Sequence, residues 1–402
     1  MQYQCKPRIL WANFYCLFDT SSGASLSVRE MLRQLSFSGC EVFVIGATVF
    51  DSERAASVLP ENWRQQLETT DILDLDDPPL KHRLLITASH ERDRMTTIEE
   101  ARWYEFYIHV FERFKPDIVW FYGGRPIDYL IADEAKHRGI TVAAYLVNEN
   151  YTKTRWCRDV DLILTDTEAT AVYYRDKLGL SLTPVGKFID AGAVMAAEHD
   201  RKNVLFVNPS LQKGAGIVIQ MALYLEKRRP DIRFEIVESR GDWQELLRYF
   251  SEKLGERRDQ LDNVTLIPNA PDMRPVYSRA RVVLAPSLWR ESGSRVLAEA
   301  MINAIPAIVT DRGGNAGMIG DGGVTVSLPE HCHKKPYTEI LDDEHLAMFV
   351  DPLVRMYDDH EEYDRYVERT RQAGAVFRDI GASKRRLMEA FEPLLHQDVH
   401  PA

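Results

Sequence analysis

The chain has 402 residues, too many for one compact core, and two domains of roughly 180–200 residues are expected. It is 45% hydrophobic and 28% charged, the composition of an ordinary globular protein. Its net charge of −11 argues against broad, sequence-independent binding of nucleic acid, which needs basic surfaces to displace counterions.

In chain order, short apolar runs alternate with longer segments of helical spacing. The runs at 8–13 (RILWAN), 41–47 (EVFVIGA), 83–89 (RLLITAS), 117–122 (DIVWFY), 141–147 (TVAAYLV) and 161–166 (DLILTD) read as buried strands. Helices are expected between them over 23–37, 96–114, 127–138 and 167–178. The pattern then restarts. Strands are expected at 203–208, 233–238, 263–268, 281–286, 306–311 and 323–328, with helices near 216–228, 243–254 and 294–303. Such alternation predicts βαβ units and parallel sheets covered on both faces. The expected fold is therefore α/β, with two doubly wound Rossmann-like domains facing a cleft and a helical C-terminus. The domains are placed at 1–188 and 189–379, and the final helix, about 380–402, is expected to pack back on the first domain.

Open parallel sheets bind ligands beyond the carboxyl ends of their strands, so the loops after strands carry the candidates. After the first strand, Ser22 and Gly23 open a helix. They could present N–H groups to a phosphate or acceptor, or they could simply cap the helix. Asp19, Arg125 and Glu149 follow first-domain strands, and each suits either an acceptor contact or a cap. In "VNPSLQKGAG" (207–216), Lys213-Gly214 stands between strand and helix, where a cation can neutralise a leaving diphosphate. Alone, it reads equally as a solvated lysine beside a turn glycine, and no GxxxxGK[ST] order accompanies it.

The segment "WRESGSRVLAEAM" (289–301) sets Glu291 and Glu299 eight positions apart around a helix start. That spacing spans about 12 Å in a helix with about 80° of residual rotation. Two such carboxylates could flank a ligand whose phosphates sit on the helix N-terminus, the acid inside the helix accepting ribose hydroxyls. Spacing alone leaves open a plain exposed helix. Gly313-Gly314 suits a tight turn. "HCHKKP" (331–336) has no partner cluster at metal-ligand spacing, so a loop is expected there and no metal.

Together these loops resemble the family-4 retaining glycosyltransferases of GT-B architecture. The most specific match is Glu291-x7-Glu299 within "RESGSRVLAEAM", followed by "PAIVTDRGGN". Lys213-Gly214, Ser22-Gly23 and "PVGKFID" (184–190) add to it. The resemblance implies that Glu299 binds the ribose of a nucleotide sugar and that Glu291 contacts the donor sugar. It implies that Lys213 compensates the departing diphosphate, while backbone amides near Ser292, Gly293, Ser294 and Arg295 hold the phosphates. It also implies a hexose donor, with a UDP-sugar such as UDP-glucose favoured, and a sugar, glycan or lipid-linked glycan acceptor. Polysaccharide or glycoconjugate biosynthesis is the implied setting, with no cofactor or metal. The sequence departs from the family at Asn208, where an Arg is common. It departs again at Gly293-Ser294, where an aromatic residue and a Gly are usual, and at "WFYGGRP" (120–126), where many members carry a His.

Other readings use the same architecture: an epimerase, a phosphorylase, or a non-catalytic nucleotide-sugar-binding partner. A dinucleotide dehydrogenase lacks its G-x-G-x-x-G. The five cysteines (5, 16, 40, 157 and 332) are odd in number, without a CxxC pair, and read as reduced thiols in a cytoplasmic protein. No apolar stretch reaches the ~18–20 residues of a membrane span, and no signal pattern opens the chain. The protein could still dock peripherally on the inner membrane surface.

Overall fold

The computed structural model describes residues 6–63, 65 and 70–395; the last residues of the expected C-terminal helix, 396–402, and Cys5 lie outside that range. The chain divides into two compact units, 1–188 with 380–402, and 189–379.

The first unit is built on the strands β1 (Arg8–Ala12), β2 (Glu41–Ala47), β3 (Ile72–Asp77), β4 (Leu80–Leu85), β5 (Ile118–Phe121), β6 (Thr141–Tyr145), β7 (Leu162–Thr165) and β8 (Thr183–Pro184). Among the described residues these form one sheet, in the order β3-β4-β2-β1-β5-β6-β7-β8. All neighbours are parallel except β3 and β4, which pair antiparallel. This corrects the sequence reading at three strands, one of them the unexpected two-residue β8. The expected strand at 83–89 lies at Leu80–Leu85, and its partner "ILDLDD" was missed because an acid-rich edge strand, exposed at alternate positions, lacks a continuous apolar run. The C-terminal helix Ile380–Leu395 belongs to this unit; its Leu387 and Phe391 are buried, and Phe391 meets Trp120 of β5 at 5.3 Å between ring centroids.

The second unit contains β9 (Asn203–Val207), β10 (Phe234–Glu238), β11 (Val264–Pro268), β12 (Ala280–Ala285), β13 (Ala307–Thr310) and β14 (Gly323–Val326). Among the described residues their order is β11-β10-β9-β12-β13-β14, all parallel. Strand alternation splits the buried side chains between two faces. Val204, Phe206, Ile236, Val282, Leu284 and Ile308 pack into one core. Leu205, Val237, Val283, Ala307 and Val309 pack into another. Both faces are therefore covered, as a doubly wound sheet requires. The strand order reverses between β9 and β12, which makes the crevice at their carboxyl ends the ligand position this topology favours. In the first unit the reversal falls between β1 and β5. No described helix is long and apolar enough to cross a membrane.

Candidate active site

The loops that leave β9 and β12 lie at the strand-order reversal of the second unit, and they bring two of the predicted residues together. After β9 the chain turns at Asn208, whose φ of 64° is left-handed. A short 3-10 turn, Leu211–Lys213, follows, then Gly214, then the helix Ala215–Arg228. Gly214 has φ 83°, and a Cβ there would overlap the carbonyl oxygen of Pro286 in the loop after β12. Close approach of the two loops thus requires glycine. The N–H of Leu288 then donates to the Gln212 carbonyl at 2.9 Å, which locks one loop to the other.

This packing sets the Lys213 ammonium against the Glu291 carboxylate in an ion pair. Ser287 donates its hydroxyl to the same carboxylate oxygen at 2.8 Å, and Lys213 lies 5.7 Å from the centroid of the Trp289 ring. Glu291 is only 7% exposed. Burial alone pushes its carboxyl up, but the Lys213 charge and the hydrogen bonds it receives hold it below the usual carboxylate range. The backbone is fixed too: the Gly314 N–H donates to the Glu291 carbonyl at 2.8 Å, and a Cβ on Gly313 (φ 89°) would overlap that carbonyl. Lys213 is thus half-buried and ion-paired, unlike a freely solvated lysine. The exposed-helix reading of the two acids fails as well.

The helix itself is Arg295–Ile302, with Ser294 as a cap that makes no side-chain capping bond. Glu291 lies outside it, bridged to Gly313, so the straight-helix distance between the two acids does not apply. Glu299, also 7% exposed, accepts from Arg295 Nε at 2.7 Å through one oxygen and from the Tyr277 hydroxyl at 2.7 Å through the other. A carboxylate offers about four lone-pair positions, so two vicinal hydroxyls can still be accepted. Of the four amides expected to hold phosphates, that of Ser294 donates to Asn315 Oδ1 at 2.9 Å. Asn208, where the family commonly has an Arg, is buried and its Oδ1 lacks a hydrogen-bond partner among the described residues.

Sequence reasoning missed Tyr277, Ser287, Thr310 and Asn315. Each reaches the site from a different element, and Thr310 fixes the Ser287 carbonyl at 2.6 Å. The His-Cys-His stretch forms no cluster: Cys332 is in the core, and His333 Nδ1 lies 2.9 Å from the Leu288 carbonyl. No group of three or more potential metal ligands occurs among the described residues.

In the first unit, Ser22 and Gly23 follow β1, while Arg125 follows β5. Ser22 caps the helix Gly23–Phe37 by accepting from the Ser25 N–H at 3.5 Å. Arg125 precedes the helix Pro126–His137; its N–H donates to Asp128 at 2.9 Å and its guanidinium bonds Asp93 at 2.5 Å. Burial pushes the Asp128 carboxyl up to about 6, even against the Arg125 N–H and the nearby Arg92 and Arg125 charges. Asp19 is buried and holds the N–H groups of Ser21 and Asp51 at 2.8 and 2.6 Å. The structure gives Ser22, Asp19 and Arg125 local capping and pairing roles.

Comparison with known proteins places these features. Residues 193–371 match the family "Glycosyl transferases group 1". Spore coat protein SA of Bacillus subtilis is 31% identical over 150 residues, a stretch covering 36% of this chain and 40% of that relative's length. The fold of Anabaena HepE, solved with UDP-glucose, superposes with a TM-score of 0.67 at 11% identity, covering 96% of this chain and 99% of that one. The pneumococcal O-GlcNAc transferase GtfA, solved with UDP and GlcNAc, gives 0.67 at 12% identity over 98% and 100%. The fold is thus that of two Rossmann-like units in the GT-B manner, and the residues that match the group 1 family lie in the second unit.

Proposed function

We propose that this chain, with its glycosyltransferase group 1 domain at residues 193–371, is a retaining glycosyltransferase of family 4. It moves a hexose from a UDP-sugar to a sugar, glycan or lipid-linked glycan acceptor in polysaccharide or glycoconjugate synthesis. The observation that carries the reading is the ion pair of half-buried Lys213 with buried Glu291, on loops at the strand-order reversal of the second unit, together with buried Glu299 on the helix Arg295–Ile302. The UDP and sugar ligands of the two structural neighbours support the choice of donor.

In this reading Glu299, fixed by Arg295 and Tyr277, accepts the ribose hydroxyls, and the start of the Arg295–Ile302 helix faces the diphosphate. Lys213 has three N–H donors, so it can keep Glu291 and still serve a phosphate oxygen. Glu291 accepts hydroxyls of the donor sugar. The anomeric C–O bond to the β-phosphate breaks as the acceptor oxygen bonds the same face. The acceptor proton passes to the leaving phosphate, and UDP departs with its charge met by Lys213 and the helix dipole. Such preorganised charge is commonly the largest catalytic contribution, and it lets the reaction proceed without metal. No second carboxylate nucleophile is required, unlike in retaining glycoside hydrolases.

The test is UDP release from a panel of UDP-hexoses in the presence of EDTA, with NMR of the sugar first transferred or hydrolysed. Release with the α-configured sugar formed first is expected from an α-linked donor. The β-anomer would overturn retention, and absence of release from every nucleotide sugar would overturn the activity.

A further inference from the structure

A cavity of about 590 Å³ opens in the first unit at the amino-terminal ends of β2 and β4. Ser22 and Arg125 follow the carboxyl ends of β1 and β5, so the cavity lies at the opposite edge of that sheet from the candidate acceptor residues. Its floor is apolar. Phe43 of β2 and Phe114, at the end of the helix Thr97–Phe114, approach to 5.6 Å between ring centroids, and Val42, Val110 and Pro79 complete the lining.

Its walls are basic. Lys81 neighbours Phe43 in the strand register. His109 and Arg113 are one helical turn apart on the face that also presents Val110 and Phe114. Lys6 and Arg83 add two more cations. Arg83 is paired with Asp74 at 2.7 Å, whereas Lys81, Arg113 and His109 show no hydrogen bond or ion pair among the described residues. Glu41 is the one carboxylate in the lining.

Basic residues near helix C-termini often do no more than satisfy terminal carbonyls. Here several of those carbonyls are already bonded by other groups. The Gln34, Leu35 and Ser36 carbonyls accept from the N–H groups of Ser38, Gly39 and Cys40. The Phe111 carbonyl accepts from the Lys115 N–H, and that of Phe114 from Arg8 at 3.1 Å. On a chain of net charge −11, a pocket with this excess of uncommitted cations over an aromatic floor calls for an anion with an apolar part. Phe37, which follows the lining residue Ser36, is 61% exposed and adds an apolar group beside it.

We propose that this cavity binds a phosphate-bearing group attached to an apolar or aromatic moiety, the phosphate held by Lys81 and Arg113 and the apolar part lying on Phe43 and Phe114. The shared chemistry can come from an anionic lipid headgroup or from a soluble phosphoester. The experiment uses the full chain and the double variant Lys81→Glu/Arg113→Glu. Both positions are exposed, and circular-dichroism melting checks that the variant folds. One arm measures co-sedimentation with phosphatidylcholine vesicles with and without phosphatidylglycerol. The other measures binding of phenyl phosphate against inorganic phosphate by calorimetry. Binding in either arm that weakens roughly tenfold or more in the double variant supports the site, the arm naming the source. Sedimentation only with phosphatidylglycerol identifies a lipid headgroup. Binding of phenyl phosphate above inorganic phosphate, without sedimentation, identifies a soluble ligand. No binding in either arm, or binding that the double variant leaves unchanged, overturns the proposal.

Discussion

Three side chains carry most of the account at the scale of single residues. Glu291 is buried beside Lys213, and its folded-state ionisation is favoured over that of an unfolded glutamate near ~4.3. A carboxyl whose folded value is depressed contributes stability above the unfolded value, and loses it as pH falls through the folded value. Glu291→Gln leaves Lys213, itself only 22% exposed, without its partner. A loss of roughly 1–4 kcal/mol is expected at pH 7, shrinking below about pH 4 as the wild-type carboxyl protonates. Urea unfolding at the two pH values measures this; a pH-independent difference would contradict the charge pairing. Tyr277→Phe removes one fixed donor to Glu299, with an expected cost of about 0.5–1.5 kcal/mol and weaker nucleotide binding. If calorimetry found stability lowered and nucleotide affinity unchanged, the Tyr277 hydroxyl would have no part in the site.

At the scale of elements, the loops after β9 and β13 approach the loop after β12 closely only because glycine stands at the contacts. Gly214→Ala combines a left-handed φ with overlap on the Pro286 carbonyl, and Gly313→Ala does the same against Glu291. Each is expected to cost about 2–4 kcal/mol. Gly317→Ala, in the helix Asn315–Ile319, meets nothing within 4 Å and should be neutral or stabilise by up to about 1 kcal/mol. Thermal unfolding of the three variants checks the contrast, and equal effects would refute the loop-contact argument. This scale also shows where the sequence was readable. The helix Gly23–Phe37 and the strand Glu41–Ala47 follow directly from periodicity and a serine cap. The β3–β4 hairpin does not: "ILDLDD" is an edge strand with Asp74 and Asp76 exposed, and "LKHRLL" alternates buried and exposed positions, so neither writes a continuous apolar run.

Across the whole molecule, the alternation of strands and helices was enough to read two doubly wound units, since each sheet buries both faces and so writes itself as apolar runs. The candidate site was legible only in part. Glu291, Glu299 and Lys213-Gly214 stand in loops next to recognisable strands, so their spacing could be read. Tyr277, Ser287 and Asn315 were not, since hydrogen bonds made by folding, and not sequence spacing, join them to Glu299, Glu291 and the Ser294 amide. The Lys213–Glu291 pair is likewise a contact across 78 positions of chain, created where the order of strands reverses.

The central claim is that Glu299 and Lys213 hold a nucleotide sugar without metal. It is tested most directly by thermal shift of wild type, Glu299→Gln and Lys213→Ala with UDP-, GDP-, ADP- and dTDP-sugars in EDTA. A ligand at a hundred times its dissociation constant stabilises by about 2.7 kcal/mol, a readable shift. The account predicts that a UDP-sugar raises the wild-type melting temperature and that both variants lose most of that rise. No shift with any nucleotide sugar, or a shift that both variants keep, would contradict it.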